Sequence, residues 1–112
     1  RRPTVAGNYT YVANLAGEVE VPENGTLSRT LHNDDRVKVI IFAFAAGQEL
    51  SAHTAPMPAL IQFLEGEMDV TLGADKMEAR AGTLIHMPAQ TPHALKAKTP
   101  AKMVLYLLKN PQ

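Results

Sequence analysis

With 112 residues, 46% of them apolar and 20% charged, the chain has the length and composition of one compact domain. A domain of that size buries roughly two-thirds of its unfolded surface, enough for a self-sufficient core. Eleven basic side chains balance eleven acidic ones, which argues against the positive footprint of a nucleic-acid binder and against a polybasic membrane-surface protein. The lack of cysteine excludes disulfides, thiolate metal sites and cysteine nucleophiles.

Turn-forming residues punctuate the chain at Pro22-Glu23-Asn24-Gly25, Asn33-Asp34-Asp35, Ala46-Gly47, Glu65-Gly66, Gly73-Ala74-Asp75, Ala81-Gly82 and Pro88. Between them lie short runs rich in β-branched and aromatic residues. The N-terminal strands are expected within residues 9–46 and include the run Val37–Phe42. Leu60–Leu64 follows, then Met68–Leu72, then Met103–Leu108. Met68, Val70 and Leu72 alternate with Glu67, Asp69 and Thr71, the pattern of a half-buried strand. No window carries the sustained i, i+3, i+4, i+7 stripe of an amphipathic helix. The longest apolar run, Val37 to Gly47 broken by Lys38, is about half the roughly 20 residues of a membrane helix. No leader pattern is visible at the start, so a cytoplasmic protein is expected. These signals predict a single all-β domain over residues 1–112, a sandwich or barrel of short strands.

His32, His53, His86 and His93 are the side chains suited to acid–base or metal work near neutral pH. His53 stands six residues after Gly47 and thirteen before Gly66, and Gly82 is followed by Pro88 and then His93. The stretches GQELSAHTAPMPALIQFLEG and GTLIHMPAQTPHALKA carry this spacing. On these residues the chain resembles a single-domain cupin, with the two family motifs spanning residues 47–97. The resemblance implies a double-stranded β-helix, the RmlC-like jelly-roll barrel, with an internal cavity. It also implies a homodimer formed through a sheet face or an exchanged N-terminal strand, for which apolar Leu60 and Leu64 are suited.

The chain departs from the motifs where the chemistry would sit. The first motif's second histidine falls on Ala55 and its glutamate on Ala59; the second motif's glycine falls on Gln90 and its asparagine on Ala97. The resemblance therefore carries over only His53 and His93 as metal ligands, with His86 and Glu49 as candidates to complete a set. A catalytic metal centre ordinarily has three protein ligands. The leading expectation is thus a binding protein for a small molecule, with no strong metal site. Its pocket would be lined by His53, Ala55, Met57, Ala59, Ile61, Phe63 and His93, the histidines supplying polar contacts to an otherwise apolar wall. The alternatives are an oxygenase or isomerase using Fe, Mn, Ni or Zn on His53 and His93, and a sensor or structural barrel. After Glu78 the chain has no carboxylate side chain but holds Arg80, Lys96, Lys98, Lys102 and Lys109. Such an excess most simply marks a solvated face.

Overall fold

The computed structural model describes residues 4–6 and 8–110. A short antiparallel pair, β1 (Thr4–Ala6) and β2 (Tyr9–Tyr11), is followed by a single 3-10 turn over Leu15–Glu18. The side chain of Asn14 caps that turn by accepting from the Gly17 amide. The turn residues then separate the strands in order: β3 (Thr26–Asn33), β4 (Val37–Phe44), β5 (Glu49–His53), β6 (Ala59–Glu65), β7 (Glu67–Leu72), β8 (Asp75–Arg80), β9 (Leu84–Met87), β10 (His93–Ala97) and β11 (Ala101–Leu108). Asp34 builds the β3–β4 turn by accepting from the Arg36 and Val37 amides at 2.7 and 2.9 Å. Gly66 makes the β6–β7 turn at φ +81°, and a Cβ there would lie 2.1 Å from the Pro100 carbonyl oxygen. Only glycine meets both conditions.

Every strand pairing is antiparallel. One sheet has five strands in the order β3-β4-β11-β6-β9, and the other has four in the order β5-β10-β7-β8. Successive strands repeatedly cross between the two sheets, which is the jelly-roll arrangement. Alternation along each strand sends one set of side chains into the space between the sheets. Phe44, Ile61, Phe63 and Met103 come from the larger sheet, and Met68, Val70, Leu95 and Ala97 from the smaller; all are buried. Each large apolar side chain so enclosed contributes roughly 1.5–3 kcal/mol. The interior at this level is packed core.

A second apolar cluster lies on the outer face of the five-stranded sheet. Leu31, Ile41 and Val104 are buried there beneath Leu15 and Val19 of the N-terminal segment, with Leu64 and Tyr106 alongside. Polar contacts pin this segment down: Lys102 Nζ donates to the Ala16 carbonyl at 2.6 Å, and Arg29 faces the buried Glu18 carboxylate at 3.5 Å. His32 bridges Thr10 Oγ1 at 2.8 Å and Asp34 Oδ2 at 2.6 Å. The His32–Asp34 bond, and the two backbone amides, hold the Asp34 carboxyl well below the usual carboxylate range. His32 is therefore a tether of the N-terminal segment.

Candidate functional site

Strand register decides where His53 points. His93 pairs with His53, but Leu95 pairs with Leu50, so β5 holds one residue more than β10 between these pairs. The extra residue is a β-bulge at Ser51-Ala52. Leu50 packs against the core while Glu49 pairs with outward-facing Lys96. Without the bulge, His53 would share the outer face with Glu49 and Ser51. With it, His53 turns to the same side as His93, and the two ring centroids stand 4.2 Å apart at an interplanar angle of 55°.

Each ring is oriented by its own backbone. His53 Nδ1–H donates to the Ser51 carbonyl at 2.8 Å, and His93 Nδ1–H donates to the Thr91 carbonyl at 2.9 Å. A carbonyl only accepts, so both Nδ1 atoms carry a proton, and a ring in its neutral form then leaves Nε2 with a free lone pair. His93 is buried at 8% exposure, whereas His53 is exposed. One ring forms a wall of the site and the other its lip.

Beside His93 is a cavity of about 10 Å³ lined by Ala55, Met57, Ala59, Met87, Pro88, Thr91 and His93. That is room for about one water-sized particle. The Gln90 amide donates to the Ala55 carbonyl at 2.8 Å, joining the two loops that frame the cavity. Gln90 sits at φ +65°, so the backbone keeps the left-handed turn that glycine serves in the family's second motif.

The sequence-derived site residues divide by position. His53, Ala55, Met57, Ala59 and His93 gather at the pair and its cavity. Ile61 and Phe63 point inward but lie in the closed core at 1% and 2% exposure, outside the cavity lining. His86 is exposed on β9 between buried Ile85 and Met87, so it faces away from the pair. The signal was present in the sequence, since two apolar residues flanking a polar one on a strand place it outward. Met87, Pro88 and Thr91 complete the cavity lining and were not among the sequence-derived pocket residues; the same alternation that sends His86 outward places Met87 inward.

The larger concavities lie elsewhere. A trough of about 720 Å³ runs across the outer face of the four-stranded sheet, bounded by Glu49, Asp69, Lys76, Glu78 and Lys96. Its charges alternate in sign, and Lys98 pairs with Glu78, lowering the pKa of the carboxyl and raising that of the amine. A groove of about 300 Å³ beside the N-terminal segment is lined by Val12, Leu15, Leu31 and Val39 with Tyr106. Burial raises the Tyr106 phenol pKa, and its hydroxyl donates to Gln62 Oε1 at 2.8 Å. The basic residues late in the chain form no common patch: Lys98 meets Glu78, Lys102 the Ala16 carbonyl, and Lys109 Asn33 Oδ1.

Comparison with known proteins bears on the family. Residues 40–108, more than half of the chain, match the Cupin domain profile. The chain is a cupin. Solved structures similar to this cupin include a conserved protein of unknown function from Streptococcus pyogenes. It is 28% identical, with a TM-score of 0.84, 100% of this chain covered and 97% of that one. A cupin superfamily protein from Desulfitobacterium hafniense is 26% identical, with a TM-score of 0.82 and coverage of 98% and 100% respectively. A cupin 2 conserved barrel domain protein from Leptotrichia buccalis is 34% identical over 86% of this chain and 47% of its own, with a TM-score of 0.80. Among curated proteins, none matches.

Cupins often hold a transition metal, which makes the donor set of this cupin a question of chemistry. Among the described residues, no group of three or more His, Cys, Asp or Glu side chains comes together. Two imidazole nitrogens with no carboxylate beside them do not fit a resident divalent ion that needs three protein ligands. Among the described residues, no helix is long and apolar enough to cross a membrane.

Proposed function

We propose that this cupin binds a small molecule at the His53–His93 pair and does so without a resident divalent ion. One observation carries the reading: both Nδ1 atoms are committed to backbone carbonyls, so on rings 4.2 Å apart the two Nε2 atoms are the ones left to meet a ligand, as acceptors in the neutral imidazole form. Such a pair accepts hydrogen bonds, and the ligand it suits carries a hydroxyl, amine or acid proton. The ligand approaches from the exposed His53 side, since the cavity beside His93 holds only a group the size of a water molecule. The oxygenase and isomerase reading lacks a third ligand, because His86 and Glu49 both face outward.

The test is a thermal-shift screen of hydroxy-, amino- and carboxylic-acid metabolites, with and without chelator. A binder should raise the melting temperature by mass action regardless of chelator, and the shift should vanish in His53→Gln and His93→Gln. Stabilisation that disappears with chelator would refute the metal-free part of the proposal. The same reading takes the protein as a homodimer; Leu60 and Leu64 are only half-exposed, Leu64 against the cluster under the N-terminal segment, so the support comes instead from Leu84, which is 65% exposed on edge strand β9. Light scattering coupled to gel filtration checks it, and a monomeric mass would refute it.

A further inference from the structure

We propose that Thr10, His32 and Asp34 form a hydroxyl–imidazole–carboxylate relay that hydrolyses activated esters of short apolar acids on the outer face of the five-stranded sheet. The distances are those of a nucleophile, its base and the group that orients the base. Thr10 Oγ1 stands 2.8 Å from His32 Nδ1, and His32 Nε2 stands 2.6 Å from Asp34 Oδ2. Asp34 is itself fixed, because its other oxygen accepts from the Arg36 and Val37 amides. A bulge in β3 aims the base. Thr30 pairs with Ile40 and His32 with Val39, so β3 holds one residue, Leu31, more than β4 between these pairs. Leu31 and His32, neighbours in sequence, consequently both line the groove of about 300 Å³ beside the N-terminal segment, and Thr10 lines it with them. The His53–His93 pair belongs to the other sheet and takes no part.

The tautomer follows from the partners. The Asp34 carboxyl, held well below the usual carboxylate range by its hydrogen bonds, is ionised near neutrality and only accepts. His32 Nε2 therefore carries a proton, and in the neutral ring Nδ1 is the acceptor for the Thr10 hydroxyl. As Thr10 Oγ1 attacks an ester carbonyl carbon, its proton passes to His32 Nδ1, and the imidazolium so formed stands against the Asp34 carboxylate. The tetrahedral adduct collapses by breaking the bond to the leaving alcohol, which takes the proton from Nδ1. Water then attacks the acyl-threonine, loses its proton to Nδ1 and releases the carboxylic acid, and the proton returns to Thr10. Val12, Leu15, Leu31 and Val39 form the rest of the groove wall, so the acyl group it receives is apolar. A volume of about 300 Å³ is at the lower end for small-molecule pockets, which makes that group short. Tyr106 also lines the groove but donates its hydroxyl to Gln62 Oε1 at 2.8 Å. With that donor spent, the site suits esters whose leaving group departs easily, such as phenolic esters.

The test is hydrolysis of p-nitrophenyl acetate and p-nitrophenyl butyrate by the whole chain, read by nitrophenolate absorbance, with mass spectrometry of acid-quenched protein. The wild type should turn over faster than an equal concentration of free imidazole and carry a single acyl group on Thr10, a readout that needs no variant. Thr10→Val, which removes the hydroxyl and keeps the shape of the side chain, should lose the adduct, and so should His32→Gln. Each should also lose about 10²–10⁴-fold in rate. Thr10→Ser should keep both adduct and turnover. Asp34 acts through His32, so Asp34→Asn should lower kcat and leave KM unchanged. Circular dichroism checks that each variant is folded. His86→Ala, exposed on β9, should behave as the wild type does. A wild-type rate no greater than that of imidazole, an adduct on another residue, or undiminished turnover in Thr10→Val would overturn the relay. A loss in His86→Ala as deep as in His32→Gln would overturn it as well, and none of these results bears on the His53–His93 pair.

Discussion

Replacing His93 and His53 in turn by alanine should separate stability from binding. His93 is 8% exposed and its Nδ1–H bond to the Thr91 carbonyl is 2.9 Å long. Losing that bond costs about 0.5–1.5 kcal/mol. The void left beside a cavity already lined by Ala55 and Ala59 costs more, because neither side chain can expand to fill it. Together these place His93→Ala at about 2–4 kcal/mol of lost stability, within the range for truncating a buried ring. For a domain near this size that is a fall in melting temperature of roughly 10–20 °C. His53 is exposed, and water replaces its bond to Ser51, so His53→Ala should stay within about 0.5 kcal/mol. Both variants should lose ligand binding alike, since both lone pairs serve the site. Urea melts followed by circular dichroism measure the stability split, and titration with a screened ligand measures the binding. Equal destabilisation by the two substitutions would refute the assignment of one ring as wall and the other as lip. Retained binding in either would refute the pair as the recognition element.

Restoring the motif's missing ligands with Ala55→His/Ala59→Glu should create a divalent site. Free Ni(II) or Mn(II) at about a hundred times its dissociation constant would then stabilise the variant by about 2.7 kcal/mol in a thermal melt, with no gain in the wild type. Gly66→Ala should be severe, about 3 kcal/mol or more in a denaturant melt, because the new Cβ meets the Pro100 oxygen at 2.1 Å where ordinary contact begins at 3.4 Å. Gln90→Gly should raise the urea midpoint slightly: left-handed backbone costs a side-chain-bearing residue about 1–2 kcal/mol, and glycine's extra chain entropy offsets about 0.5–1 kcal/mol of the gain. Asp34 has a lowered folded pKa, caused first by its bond to His32 and then by the Arg36 and Val37 amides. Its stabilising effect is therefore full above the unfolded carboxyl value of about 4 and is lost as pH falls toward the lower folded value. The melting-temperature gap between wild type and Asp34→Asn should accordingly be constant near neutrality and shrink below about pH 4; a gap that widens in acid would contradict the tether.

The strands were legible because each is bounded by a residue with a local mechanical reason to stop it. Gly47, Gly66 and Gly82 all have positive φ, and the alternation from Met68 to Leu72 matches the buried and exposed sides of β7 closely. The bulge in β5 was not legible. Ser51 and Ala52 carry no mark of irregular pairing, and the extra residue exists only relative to β10, far away in the sequence. The apolar residues of the N-terminal segment were equally silent, since Leu15 and Val19 acquire meaning only over Ile41 and Val104. Alternation did place Ile61 and Phe63 inward. Whether an inward residue lines a pocket or fills a core depends on how closely the opposite sheet approaches, and no single strand encodes that distance.

The two motif departures at the site behave differently, and the difference is physical. At Gln90 the glycine is gone but its conformation remains, at φ +65°. The turn survives because the Gln90 amide must reach the Ala55 carbonyl to join the cavity's two loops, and that hydrogen bond is made by backbone whatever side chain is attached. At Ala55 and Ala59 the missing groups were side chains, and backbone geometry cannot supply a ligand atom. The barrel mouth therefore keeps the motif's backbone shape without those two ligand side chains. What remains there is decided by the side chains still present, the two histidines oriented by Ser51 and Thr91 and the methionines beside His93.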